Sequence, residues 1–370
     1  MSLSVDFMGI KLKNPIIVAA SPLTGNGNMI KKAIQAGAGA VVTQTIANEV
    51  RKNVRPRIAA NFYGMQNIEL YSNLTLEEWE REIYDVKEKG AVVIANILAH
   101  TPSEMAYIAN KVERFGVDAI ELGISIPHGE GVELLISDKK RLYNLTKTVV
   151  DSVEIPVMVK FSPNVSNLTA LAKTVEEAGA SAISAIDAIR SILEVDIDKA
   201  KAILPTYGGY SGEGIRPIAL AAVANIAQAV KIPVSGIGGI DNYKNVIEFM
   251  MLGASTVQIC TSLMKNGYDK IEEILIELER WLGEKGYSSL EDIRGQALDS
   301  LKSFEEIPIE PYTVKMKSQC SGDNCTKCLK SCIYDAISIR NNRIAIDDSK
   351  CTGCGLCVSL CKKEILYLDW

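Results

Sequence analysis

The sequence predicts an α/β chain, a (β/α)8 TIM barrel followed by a small α+β domain, on three observations. Between about residue 14 and residue 285, eight short apolar runs alternate with longer amphipathic stretches. Each run is apolar along its whole length, as strands buried on both faces are. Past residue 318, eight of the nine cysteines crowd into some fifty residues, a composition foreign to a barrel. With 370 residues, the chain is long enough for one large domain and a small one.

The eight runs are 15–20, 40–45, 91–98, 119–125, 156–162, 182–187, 233–238 and 256–262. Helical stretches between them include 77–89, 103–115, 139–152, 168–178 and 218–230. Several enter the next strand through a Gly-Ala pair, Gly37 with Ala38, Gly179 with Ala180 and Gly253 with Ala254, where glycine can close a helix. An open doubly wound sheet satisfies the same strand count, because counting strands does not prove closure. Two connections, 46–76 and 188–217, are too long for plain barrel loops. Both leave the C-terminal end of a strand, where barrels place their chemistry, and are expected to be lids or binding loops. The expected domains are a barrel at 1–285, a linker at 286–318 containing Pro308 and Pro311, and a cysteine-rich domain at 319–370.

Bulk numbers narrow the function. The chain is 47% hydrophobic and 23% charged, with a formal net charge of -5. No apolar run approaches the roughly 18 residues of a membrane helix, and MSLSVDFMGIKLKN lacks a signal-peptide pattern. A soluble, cytoplasmic protein with no membrane partner is expected. Mild acidity and the lack of a basic cluster argue against nucleic acid.

The cysteines form two runs, Cys320, Cys325, Cys328, Cys332 and Cys351, Cys354, Cys357, Cys361. The second is C-x2-C-x2-C-x3-C, and the first differs only in its opening gap. This is the ligand pattern of a bacterial-type two-cluster ferredoxin, in which the fourth cysteine of each run crosses to the other cluster. One [4Fe-4S] is therefore expected on Cys320, Cys325, Cys328 and Cys361, and the second on Cys351, Cys354, Cys357 and Cys332. Zinc sites space their cysteine pairs further apart, and disulfides suit neither the close spacing nor the expected compartment. Ile333 and Lys362 stand where proline usually follows the fourth cysteine, which bears on the clusters' potential rather than their binding. The segments CLKSCIYDAISI and CVSLCKKEILYL form an internal repeat. Between the runs, 336–340 and 343–347 alternate around Asn341 and Asn342, a hairpin signal.

Within the barrel, SGIGGI (235–240) follows the seventh run and QICTSLM (258–264) spans the eighth. Glycine-turn amides with nearby hydroxyls make an anion nest, and strands seven and eight are the favoured phosphate site of a barrel. Alone, SGIGGI could be a tight turn, and YGGYSG (207–212) a surface loop; with Thr261 and Ser262 the former points to a phosphorylated cofactor. Lys160 stands inside the apolar run VMVKFSPN. Because lysine is seldom buried unpaired, it is expected to face an anionic or electron-rich ligand.

Together KNPIIVAASPLT, QNIELYS, IELGISIPHGEG, IPVMVKFSPNVS, TYGGYSGEGIRPIAL and GIGGIDNYKNVIEFMMLGASTVQICTSL resemble the FMN barrel shared by soluble (class 1) dihydroorotate dehydrogenases and dihydropyrimidine dehydrogenase. PHG, PNV and IRPIAL, with a ferredoxin module after the barrel, make the chain most similar to the catalytic subunit of bacterial NAD-dependent dihydropyrimidine dehydrogenases. The resemblance implies FMN, its phosphate on Gly238, Gly239, Thr261 and Ser262. It places Ala20 and Ser21 along the isoalloxazine near Gly212, and Lys160 at the N1/C2 edge, where a cation stabilises reduced flavin. It also implies a homodimer, the form the relatives take.

The substrate end departs from that family. The acid/base position, cysteine or serine in the relatives, is Ile126, and the neighbouring pyrimidine-binding asparagine is Gly123. Asp187 replaces an amide, Gln44 replaces a lysine near the flavin, and Asn67 is kept as a substrate-side residue. His128, two residues past Ile126, is the candidate acid/base, with a loop-ordering role as its alternative; Asp187, Tyr63 and Tyr210 follow. Cys260 reads as a small core residue.

The leading expectation is therefore a flavin and iron–sulfur oxidoreductase acting on a small-molecule CH–CH or C=C substrate with an altered pocket. The alternatives are an electron-transfer or binding subunit without turnover, and a dihydropyrimidine dehydrogenase with a relocated acid/base. Without a strand–GxGxxG–helix unit, no NAD(P)H site is expected in the chain. Electrons would come from or go to a flavoprotein NAD(P)H subunit or a ferredoxin.

Overall fold

Eight short parallel strands close into a barrel in the computed structural model of the chain. The structure describes all residues except Met1, Arg51, 126–137, Ser166, Pro308, Pro311, 322–324 and 369–370. The barrel strands are β1 (Ile16–Val18), β2 (Ala40–Val42), β3 (Val93–Ile97), β4 (Ala119–Gly123), β5 (Val157–Phe161), β6 (Ala182–Ala185), β7 (Val234–Ile237) and β8 (Ala254–Ile259). Each pairs with its neighbour in sequence, and β8 returns to β1. Closure removes every sheet edge and excludes the doubly wound alternative.

All eight strands are buried along their length, which is why they read as continuous apolar runs rather than alternating ones. The surrounding helices are amphipathic at the 3.6-residue period. In α2 (Leu76–Lys87) the buried face is Leu76, Trp79, Ile83 and Val86; in α3 (Pro102–Arg114) it is Met105, Ile108, Ala109 and Val112. Each such aliphatic side chain contributes about 1.5–3 kcal/mol on burial. Local signals agree: Thr75 and Glu78 form a capping box at the start of α2.

The two long connections are not independent lids. Segments Ile58–Ala60 and Met65–Asn67 from the first pair with Ile189–Ser191 and Gly208–Ser211 from the second, in one four-stranded antiparallel sheet. That sheet brings Asn67 opposite Gly209 and Met65 opposite Ser211 at the C-terminal end of the barrel.

The chain divides into two compact units, Met1–Leu301 and Lys302–Trp370, a division that falls inside the expected linker of 286–318. The first half of that stretch belongs to the barrel because it is anchored there: Leu290 and Ile293 are buried, and the amides of Gly295 and Ala297 donate to Met250 O and Met251 O. In the second unit, Ile337–Arg340 and Arg343–Ile346 form the expected hairpin, with Asn341 and Asn342 at φ 47° and 57°. A two-residue turn with both φ positive matches the strand twist. Lys315–Met316 pairs with Leu366–Tyr367, joining the ends of the unit. Among the described residues, no helix is long and apolar enough to cross a membrane.

Candidate active site

A cavity of about 190 Å³ opens at the C-terminal end of the strands. A buried water needs only about 10–15 Å³, so the space suits an organic molecule rather than an ion. Most of the barrel residues singled out from sequence converge on it, whereas Tyr63 and Tyr210 are not among its lining. Gly212, Gly238, Gly239, Thr261 and Ser262 line it where β7 and β8 end, Lys160 and Asp187 where β5 and β6 end, and Asn67, Ala20, Ser21 and Gln44 line it as well. His128 and Ile126 lie outside the described residues.

Backbone builds the first end. Gly238 and Gly239, after β7, take φ 126° and 75°, and a Cβ on Gly239 would stand 2.6 Å from Arg216 Cβ. Only glycine meets both demands. Thr261 and Ser262 open the short helix Thr261–Asn266 after β8, whose N-cap residue Cys260 makes no side-chain capping bond. First-turn amides have no partner within their helix, and both residues line the cavity. Their hydroxyls are engaged otherwise: Ser262 Oγ donates to Asp241 Oδ1 at 2.7 Å, and Thr261 Oγ1 shares a hydrogen bond with Ser211 Oγ at 2.7 Å. Cys260 is no plain core residue; it lines the cavity, and burial pushes its thiol up while a Ser21 hydrogen bond and Lys160 oppose this.

Side chains build the second end. Lys160 Nζ lies 3.5 Å from Asp187 Oδ1 and 4.0 Å from Glu121 Oε1. Burial would lower the Lys160 pKa, but Asp187 and then Glu121 outweigh it, and the ammonium is held above the usual lysine range. Asp187 Oδ2 accepts from Ser125 Oγ at 3.0 Å, and Oδ1 from the Ala188 amide at 2.8 Å.

Glu121, wholly buried on β4, is the hub that sequence reasoning missed. Its Oε1 accepts from Asn96 Nδ2 at 2.7 Å; its Oε2 accepts from Ser184 Oγ at 2.7 Å and Gln258 Nε2 at 3.0 Å. These donors sit on β3, β6 and β8, so one carboxylate ties three strands to its own. With their NH2 groups so held, Asn96 Oδ1 and Gln258 Oε1 are left as buried acceptors without partners, both on residues that line the cavity. Glu69, also on the wall, was missed as well; burial raises its pKa despite Arg57 nearby. The signal that marked Lys160, a charge inside an apolar run, applies equally to Glu121 in AIELG.

In the second unit the cysteines gather in two mixed groups. Cys332 lines one small hollow together with Cys351, Cys354 and Cys357. Burial, then Cys354, Cys351 and Cys332, push the Cys357 thiol up to about 11. The Cys328 thiol is raised by burial and by Cys320, Cys325 and Cys361. The fourth cysteine of each run thus sits with the other run. No three Cys, His, Asp or Glu side chains among the described residues converge as a set for one metal ion. Of the two groups, the one with Cys332 surrounds a hollow.

Comparison with known proteins gives the same two parts. The family model "Dihydroorotate dehydrogenase" matches residues 2–282, and "4Fe-4S binding domain" matches 344–367. The chain is 39% identical over 303 residues to the catalytic subunit of dihydroorotate dehydrogenase B (NAD(+)) of Pyrococcus abyssi, covering 80% of this chain and 99% of that one. Its identity to the same subunit of Methanocaldococcus jannaschii is 34% over 304 residues, with 80% and 98% covered. To the chloroplastic dihydropyrimidine dehydrogenase (NADP(+)) of Arabidopsis thaliana it is 32% over 339 residues, with 82% and 79% covered.

Proposed function

The chain belongs to the dihydroorotate dehydrogenase family of flavin-dependent oxidoreductases and carries a 4Fe-4S binding domain; on that premise we propose that it acts on a CH–CH or C=C substrate and exchanges electrons through two [4Fe-4S] clusters. One observation supports this most: glycine turns and open helix amides line the same cavity as a buried ammonium. The residues fit FMN. Gly238, Gly239, Thr261 and Ser262 would hold the phosphate, the last two through their amides, with Gly212 beside them. Ala20, Ser21 and Gln44 would flank the ring system. When bound, FMN supplies hydride chemistry and the clusters single-electron transfer.

The chain's own groups set the conditions for that chemistry. Lys160 keeps a positive charge at a buried position, where it is screened less than in water. Glu121 fixes the Asn96 and Gln258 amides by accepting from their NH2 groups. Ser125 Oγ holds its proton on Asp187 Oδ2. Cys320, Cys325, Cys328 and Cys361 would hold one cluster, and Cys351, Cys354, Cys357 and Cys332 the second. Work in the cytoplasm, where thiols stay reduced, fits such ligands. A flavoprotein NAD(P)H subunit or a ferredoxin would complete the electron path.

The test is anaerobic purification with released-flavin analysis and iron counting. FMN with about eight irons, the sum for two four-iron clusters, is expected. Iron without flavin would sink the oxidoreductase reading, and about four irons would sink the second cluster. Rapid NADH oxidation by the isolated chain would remove the need for a partner.

A further inference from the structure

The substrate-side end of the cavity holds more negative than positive charge, and its deep cation is already engaged. Lys160 Nζ stands 3.5 Å from Asp187 and 4.0 Å from Glu121, so two carboxylates face one ammonium. The other cation among the described lining residues, Lys265, is exposed and donates to Phe62 O at 3.1 Å. Gln44 is neutral, and the Glu69 carboxylate is offset by Arg57, 3.4 Å away.

The acceptor that a ligand can reach there is Asp187, whose side chain is 21% exposed. Asp187, an acceptor only when ionised, receives Ser125 Oγ on Oδ2 and the Ala188 amide and Lys160 on Oδ1. About four lone-pair sites serve a carboxylate, so Oδ2 can take another donor. A ligand carboxylate would bring only acceptors and another negative charge to such a wall. An uncharged ring bearing N–H groups would satisfy it.

We propose that Asp187 is a specificity-determining residue, selecting uncharged N–H-bearing lactam or amide substrates and rejecting those that carry a carboxylate. This rests on the oxidoreductase reading and names its substrate class. Asp187 acts by direct contact: its carboxylate accepts the substrate N–H and repels a substrate anion. Ser125 and Lys160 hold it in place.

The experiment uses the full chain loaded with FMN and iron, and follows the flavin's visible absorbance on adding uracil, thymine or orotate. Uracil or thymine is expected to bind at least about tenfold more tightly than orotate, the discrimination that roughly 1.4 kcal/mol provides. Asp187→Asn is expected to tighten orotate binding by about tenfold or more, with less than about a threefold change for uracil. Ser125→Ala, which leaves the charge in place, should keep the disadvantage of orotate. If Asp187→Asn fails to fold, the native comparison and Ser125→Ala still decide. Orotate binding as tightly as uracil to the native protein, an unchanged orotate affinity in folded Asp187→Asn, or a flavin-loaded protein blind to all three ligands overturns the proposal. Protein that carries iron but no FMN overturns instead the reading on which it rests.

Discussion

The two ends of the barrel cavity are made of different material. Around Gly238, Gly239 and the start of the Thr261–Asn266 helix, the working groups are backbone amides placed by conformation. Around β4 to β6 they are side chains, Glu121, Lys160, Asp187 and Ser125, placed by strand register: Gly123 pairs with Lys160, and Lys160 with Ser184. A backbone site depends on φ and on space, which a few adjacent residues settle. A side-chain network depends on which strands lie side by side. The first can be lost by adding one methyl group; the second fails by losing one charge.

Gly239→Val should break the glycine end most completely. At φ 75° a β-branched residue costs about 1–2 kcal/mol or more, and its Cβ would fall 2.6 Å from Arg216 Cβ and 2.9 Å from Gly212 O. The variant is expected to fold but to retain less than about a tenth of the native FMN, an occupancy loss that roughly 1.4 kcal/mol of binding begins to produce. Released flavin per polypeptide measures this, and native flavin content would show that the end is not conformation-bound. At the other end, Glu121→Leu strips the acceptor from Asn96, Ser184 and Gln258 and leaves Lys160 with one carboxylate. Removing one partner from such a buried set costs about 3–5 kcal/mol, read as a fall in the urea midpoint. Glu121→Gln, which keeps the shape, should lose less. A loss below about 1 kcal/mol in Glu121→Leu, no more than one ordinary hydrogen bond, would mean that the hub does not hold the strands.

This difference in material explains what could be read from the chain beforehand. The barrel was legible because eight runs were apolar without alternation, and the cysteine grouping because ligand spacing is local. Gly238, Gly239, Thr261 and Ser262 stood out for the same reason: two short segments contain them all. Lys160 was found as a charge in an apolar strand, yet Glu121 in the same setting was overlooked, because its purpose appears only when Asn96, Ser184 and Gln258 arrive from three other strands. The shared sheet of 58–67 and 189–211 was hidden likewise, since its strands are three to four residues long and the pairing that joins the two connections spans more than a hundred residues. That the barrel unit runs on into the first half of the expected linker was hidden because Leu290 and Ile293 are too few to show a periodicity, though both are fully buried.

The smallest expected effect separates the two ends by pH. Burial alone would pull the Lys160 pKa down, but Asp187 and Glu121 outweigh it and hold it above the unfolded value of 10.5. A lysine raised in this way stabilises the fold fully below pH 10.5. That contribution drains away as pH rises towards and through the folded pKa, because the unfolded chain releases its proton first. Lys160→Met should therefore lose stability with pH less steeply than the native protein above pH 10.5, by at most the one-proton slope of about 1.4 kcal/mol per pH unit. Urea midpoints across that range give the comparison. Gly239→Val, whose defect is conformational, should run parallel to the native curve. If Lys160→Met ran parallel too, the ammonium would gain nothing from its two carboxylates on folding, and the charge balance assigned to that end of the cavity would have to be redrawn.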